Sequence, residues 1–259
     1  MAHPRVYATE ALVLRRTDFG EADRVLTLFT PGLGKVRVVA KGVRRTTSRL
    51  GGHLDSFIRV KLLLATGRNL DIITQAEAIE RIEGLTGELW HAAAAWHCVE
   101  LVDRFLADND PHPKVYSLLV ASLRRLSEGA THAGEGRGVS QLALRYFELH
   151  LLDELGFRPH LTTCVQCETV LRPEVNGYSA TLGGVLCPNC SRFADRRLSV
   201  NALKLLRLLQ STPWEKLPRV RVSGEIHDEV DDLMRGTLRH HLGHDLHAWA
   251  FLHEAAPRS

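Results

Sequence analysis

Two groups of residues in this 259-residue chain have the types and spacing to do chemistry. The first is four cysteines. "CVQC" supplies Cys164 and Cys167, "CPNC" supplies Cys187 and Cys190, and 19 residues lie between the pairs. Each C-x2-C turn can aim two thiolates at one point, and this spacing is that of a zinc ribbon. "NGYSATLGG" offers the Gly and Asn that a β-hairpin between the two knuckles needs. Four thiolates would close a zinc tetrahedron and leave no open position for catalysis, so one structural Zn2+ is expected. A redox C-x-x-C needs a single pair in a βαβ setting, which this sequence does not offer. The deaminase pattern fails too, since proline follows Cys187 and no H-x-E precedes it.

The second group lies in "GKVRVVAKGVRRTTSRL", Gly34 to Leu50. It holds Lys35, Arg37, Lys41, Arg44, Arg45 and Arg49 and no acidic residue. The whole chain is nearly neutral at +3, yet residues 1–80 carry 13 Lys/Arg against 8 Asp/Glu. Arg15, Arg16, Arg59 and Lys61 belong to the same third. Such a concentration attracts a polyanion, and Thr46, Thr47 and Ser48 add hydroxyls that can bond phosphate oxygens. Aromatic residues are few there: Tyr7, Phe19, Phe29 and Phe57. Binding should therefore be electrostatic and tolerant of base sequence. If roughly six phosphates are neutralised, the log–log salt slope for single strands is about −4.

The elements that must position these groups follow from periodicity. Up to about residue 80 the pattern is β, with strands at "TEALVLRR", "DRVLTLFT", "KVRVVAK", "LDSFIRVKLLL" and "LDIITQAEAIE". Alternation puts Lys35, Arg37 and Lys41 on one face and Val36, Val38 and Ala40 on the other. Five short strands suggest an OB-type barrel, a fold that binds oligonucleotides. Beyond residue 85 the period becomes helical: "GELWHAAAAWHCVELVDRFLAD", "PKVYSLLVASLRRLSEG" and "SQLALRYFELHLLDELGF", the last with Ser140 as N-cap and Gly156 as its stop. "EGATHAGEGRG" reads as a loop. Ser199 caps "VNALKLLRLLQ", and a final helix is expected from about Gly224 toward Glu254. The expected organisation is α+β: a barrel over 1–82, a helical domain over 83–259, and the cysteine ribbon inserted at 160–197.

Other signals carry less. Cys98 lies on an apolar helical stripe and reads as a buried small hydrophobe. His240, His244 and His247 lack the Glu of H-E-x-x-H, and "PGLGK" is not a phosphate-binding loop. Nothing reads as catalytic machinery, so no enzyme is expected. The N-terminus lacks a signal-peptide layout and no apolar run matches a membrane span, which points to the cytoplasm.

"EALVLRRTDFGEADRVLTLFT", "GKVRVVAKGVRR", "HPKVYSLLVASLRRL", "LRYFELHLLDELGFRPHLTTCVQC" and "GYSATLGGVLCPNC" resemble, in order, segments of the bacterial RecO family. The resemblance covers nearly the whole chain and loosens at "GHDLHAWAFLHE". It implies a DNA repair and recombination mediator that binds single- and double-stranded DNA and anneals complementary strands. With RecR, such proteins help load RecA onto DNA coated by single-strand-binding protein. The resemblance also implies DNA contacts on the barrel, and a site for the acidic tail of single-strand-binding protein on the helical domain. An apolar groove near Leu118 to Leu126, with Arg124 and Arg125, is the expected place for that tail. The alternative class is a zinc-ribbon RNA-binding or transcription-associated factor, which a direct RNA-against-DNA competition separates.

Overall fold

The computed structural model describes residues 5–131, 136–217 and 220–254. Five strands close a barrel: β1 (Val6–Phe19), β2 (Asp23–Thr30), β3 (Gly34–Ala40), β4 (Ile58–Ala65) and β5 (Asp71–Arg81). Their order around it is β1-β2-β3-β5-β4, with β3 and β5 parallel and the other neighbours antiparallel. The interior is filled by alternate residues, among them Ala11, Val13, Leu26, Leu28, Val38, Ala40, Val60, Leu62 and Leu64. Residues 41–57 are not a floppy loop. Val43 and Leu54 plug into that interior, Arg44 N–H bonds the Ala22 carbonyl, and Gly42 turns at φ +62° with its N–H on Asp23.

The run "ALVL" is apolar on both faces for a reason. Ala11 and Val13 point into the barrel, whereas Leu12 and Leu14 join Phe29 and Phe57 in the main core of the helical domain. That domain contains α1 (Leu89–Phe105), α2 (Pro113–Thr131), α3 (Gly136–Glu154), α4 (Val200–Ser211), α5 (Gly224–Leu242) and α6 (His247–Glu254). Phe29 meets Tyr116 of α2 at 5.6 Å between ring centroids, and Phe57 meets Trp96 of α1 at 5.1 Å. Barrel and helices therefore share one core. The α1–α2 connection presses on the β2–β3 hairpin so closely that a Cβ at Gly34 would lie 2.2 Å from the Asp110 carbonyl oxygen.

Several local expectations hold. Gly156 adopts φ +82° after α3, and Phe157 N–H reaches back to the Leu152 carbonyl. Ser199 caps α4 by accepting from Ala202 N–H. Cys98 is fully buried. Two do not. Ser140 is not the cap of α3, which begins at Gly136; it is buried within the helix and bonds His91 Nε2 at 3.0 Å. The last helix is two helices, because Gly243 takes φ +79° and its N–H closes α5 on the Arg239 carbonyl. Of the expected loop at 128–138, α2 and α3 take both ends and residues 132–135 lie outside the described residues.

Between α3 and α4 the chain makes a small sheet ordered β7-β6-β8: β6 (Asn176–Ser179), β7 (Gly184–Leu186) and β8 (Arg196–Leu198). It is tied to α5, where the Tyr178 and Thr237 hydroxyls are bonded at 3.0 Å and Arg196 reaches Asp232. No helix among the described residues is long and apolar enough to cross a membrane.

Candidate metal centre and nucleic-acid interface

The β6–β7 hairpin brings the two cysteine knuckles together. All four sulfur atoms lie within 4.8 Å of one another, and Cys167 Sγ is 3.7 Å from Cys187 Sγ. A zinc–sulfur bond of about 2.3 Å gives tetrahedral edges of about 3.8 Å, so the spacing fits a four-thiolate ion. None of the five cysteines is in a disulfide. The knuckles are built from backbone bonds. Glu168 N–H returns to the Cys164 carbonyl with Glu168 at φ +60°, and Cys190 N–H returns to the Cys187 carbonyl.

The four thiols are electrostatically unequal. The Thr169 hydroxyl and N–H hold Cys167 down to about 6. Loss of hydration and the three neighbouring thiols push Cys190 up to about 12. Burial raises Cys164, but N–H groups of Cys187, Cys167 and Gln166 outweigh it and its pKa falls below the ordinary thiol value. Four sulfurs this close cannot all ionise without a cation between them. The cluster can therefore hold a metal ion. Among the described residues no other group of three or more His, Cys, Asp or Glu side chains converges this way; the histidines at 240, 244 and 247 do not.

The ten cationic residues divide. Lys35 lies on the outer face of β3 as alternation requires, but α1 covers that end of the strand and the residue is only 7% exposed. Its ammonium donates to the Asp103 carbonyl at 2.6 Å and to Asp103 Oδ1 at 3.3 Å, with Asp108 Oδ1 at 3.6 Å. Arg15 holds the other Asp103 oxygen at 3.3 Å. Arg16 pairs with Asp55, and Arg44 with Asp18 at 3.5 Å. Arg59 bonds Glu10 at 2.9 Å and Glu80 at 2.8 Å, where Arg124 of α2 also grips Glu80 and Tyr116 bonds Glu10. Lys35 and Arg59 thus join barrel to helices rather than forming a free cationic surface.

Five remain exposed without a carboxylate partner among the described residues: Arg37, Lys41, Arg45, Arg49 and Lys61. The first four follow one another along β3 and the plugged segment after it, a run we term the ridge. Lys61 is separate, on β4 between Glu10 and Glu77 in register. The expected groove along Leu118 to Leu126 is not there. Leu119, Leu123 and Leu126 are buried, Leu118 packs on the core, and Arg125 is stacked between Tyr146 and Trp214 at 5.0 and 4.8 Å. An open apolar groove lies elsewhere, where Leu89, Trp96 and Phe251 meet Arg15 and Arg104 at the junction of β1, α1 and α6. Sequence periodicity had no signal for it, because it needs α6 to fold back on α1.

A closed five-stranded barrel of OB-type order, welded to a helical domain with a four-thiolate ribbon, defines a class of barrel-and-ribbon binding proteins. Comparison with known proteins narrows this. Residues 1–82 match the family model described as recombination protein O N terminal, and residues 89–250 match recombination protein O C terminal. The chain is 44% identical over 251 residues to a DNA repair protein RecO of Roseiflexus sp. (strain RS-1), covering 96% of this chain and 85% of that one. It is 37% identical over 249 residues to the DNA repair protein RecO of Desulforudis audaxviator, covering 95% and 96%. A third, from Dehalococcoides mccartyi (strain BAV1), is 35% identical over 240 residues, or 92% of each chain. The chain belongs to the RecO family.

Proposed function

We propose that this protein is a non-enzymatic mediator of DNA repair and homologous recombination in the bacterial cytoplasm. It binds single- and double-stranded DNA, anneals complementary strands, and with RecR helps load RecA onto DNA coated by single-strand-binding protein. The observation that carries this reading is the ridge of Arg37, Lys41, Arg45 and Arg49. These four cations have no carboxylate partner among the described residues, and they are held in place because Val43 and Leu54 anchor the segment between them. Such a surface neutralises phosphates without reading bases. Base pairing between the two bound strands then supplies specificity, which is what annealing requires.

The ion we assign to the cysteine cluster is Zn2+, on the all-cysteine donor set and the convergence of the four sulfurs. Its role is to hold the ribbon together. We assign the acidic tail of single-strand-binding protein to the groove of Leu89, Trp96 and Phe251, where Arg15, paired with Asp103, and Arg104, 3.9 Å from Glu100, also line the wall. Phe251→Ala should weaken binding of that tail peptide and leave naked-DNA binding unchanged.

The test is annealing of complementary strands precoated with the cognate single-strand-binding protein. The wild-type protein should accelerate it, and Arg37→Ala/Arg45→Ala/Arg49→Ala should not, with melting temperature and zinc content preserved. Full annealing by that variant would refute the assigned surface.

A further inference from the structure

A groove of about 970 Å³ continues from the ridge, between the barrel and the α1–α2 connection. Its walls are the start of β1, the β2–β3 turn with Leu33, the outer edge of β3, the β4–β5 turn and residues 108–111. Resting on the reading of the barrel as a nucleic-acid surface, we infer that this groove receives nucleotides of an unpaired strand and excludes a duplex, so that it sets the strand preference.

The lining has the chemistry of a slot for splayed bases. Exposed Asn69 and Asn109 present amides, each able to donate to and accept from a base edge. Half-buried Tyr7 is fixed by its hydroxyl on Asp71 Oδ2 at 2.5 Å, and with Leu70 and Pro111 it gives apolar wall to stack against. Arg37, exposed and unpaired, stands in the groove wall and on the ridge at once, so a backbone followed along the ridge leads into the slot. The two carboxylates in the lining each have a partner. Asp71 accepts from Tyr7 and from Gly67 N–H, and Asp108 faces the Lys35 ammonium. The far wall is rigid, because Asn109 N–H bonds the Lys35 carbonyl at 2.8 Å with Asn109 at φ +60°.

The volume is at the top of the roughly 300–1,000 Å³ range of small-ligand sites, room for unpaired nucleotides. A duplex has its base edges paired and its faces stacked, so it has nothing to place between these walls. Two further cations lie at the same turn. Arg68 is within it, and the Arg5 carbonyl accepts from Thr66 N–H; both side chains are exposed.

The experiment compares full-length protein binding a labelled single strand and the blunt duplex of the same length at one salt concentration. Asn69→Trp and, separately, Leu33→Trp fill the groove from two different turns. Each should lower single-strand affinity about tenfold, the scale of one lost base contact, and leave duplex affinity within about twofold. Arg45→Ala/Arg49→Ala on the ridge should lower both. A second readout needs no variant: wild-type protein should change the emission of a fluorescent adenine analogue in the single strand and leave it unchanged in the duplex. Equal loss in both forms, no loss from either filling variant, or a silent analogue overturns the groove assignment. If the ridge variant lowers neither, the reading of the barrel itself fails.

Discussion

The ribbon and the barrel hold the two densest sets of chemically capable side chains in this molecule, and they assemble by different rules. At the ribbon all four cysteines converge within 4.8 Å. On the barrel half of the ten cations end on carboxylates, and two of them, Lys35 and Arg59, disappear into the joint with the helices. The ribbon site is local. Each knuckle sets its own pair of thiolates through backbone bonds three or four residues apart, and one hairpin brings the pairs together. Whether a barrel cation is free is a nonlocal matter, decided by acids on other elements, such as Asp103 on α1 and Glu80 on β5. Charge counted along a strand says how much is available, and only the packing says how much is left.

The comparison breaks most visibly if the ribbon is not held by its metal. Cys164→Ser/Cys187→Ser should take bound zinc from one ion per chain to none and unfold the ribbon. The interaction at stake is about 10–16 kcal/mol in zinc-finger peptides. Metal analysis and protease cleavage within 160–197 would read this out, and an intact, zinc-free ribbon would contradict it. DNA binding by the barrel should survive, since the ribbon packs on α5 and not on the strands.

A smaller effect separates joint from surface on the barrel. Asp103→Ala leaves the buried Lys35 ammonium without its main carboxylate and should destabilise the protein by on the order of 3 kcal/mol, measured by denaturant unfolding. DNA affinity should change little. If instead the affinity rises or falls severalfold with stability unchanged, Lys35 belongs to the binding surface after all.

The smallest is a pH effect at the second joint. Arg124, and beside it Arg59, hold the Glu80 carboxyl down to about 2 from an ordinary 4.5. A lowered native pKa means the contribution is present in full above about 4.5 and is lost as pH falls toward 2. Arg124→Ala should therefore flatten the fall in stability across that window. An unchanged acid-unfolding curve would show that the Glu80 pair contributes nothing to the joint.

How far the sequence could be read follows the same division. β2 spans Asp23–Thr30 as its alternation indicates, and the inward face of Val36, Val38 and Ala40 is where period two puts it. The convergence of the four cysteines was legible, because their spacing sets it. Ser140 misled because a serine ahead of an apolar run is also what a buried hydrogen bond to His91 looks like. Leu118 to Leu126 misled in a similar way: leucines at helical spacing mark a buried face, and Arg125 next to them is packed between two aromatic rings. The grooves at Trp96 and at Asn69 had no linear signature, since each is walled by elements far apart in the chain.

The most direct measurement of the central claim is the salt dependence of single-strand binding. Ten free cations would give a log–log slope of about −7, whereas the four of the ridge give about −3, from −0.7 per phosphate. The wild type should give about −3, and Arg37→Ala/Arg45→Ala/Arg49→Ala, which keeps only Lys41 of the ridge, a slope smaller in magnitude by about 2. An affinity indifferent to salt, or a slope the triple variant leaves unchanged, would contradict it.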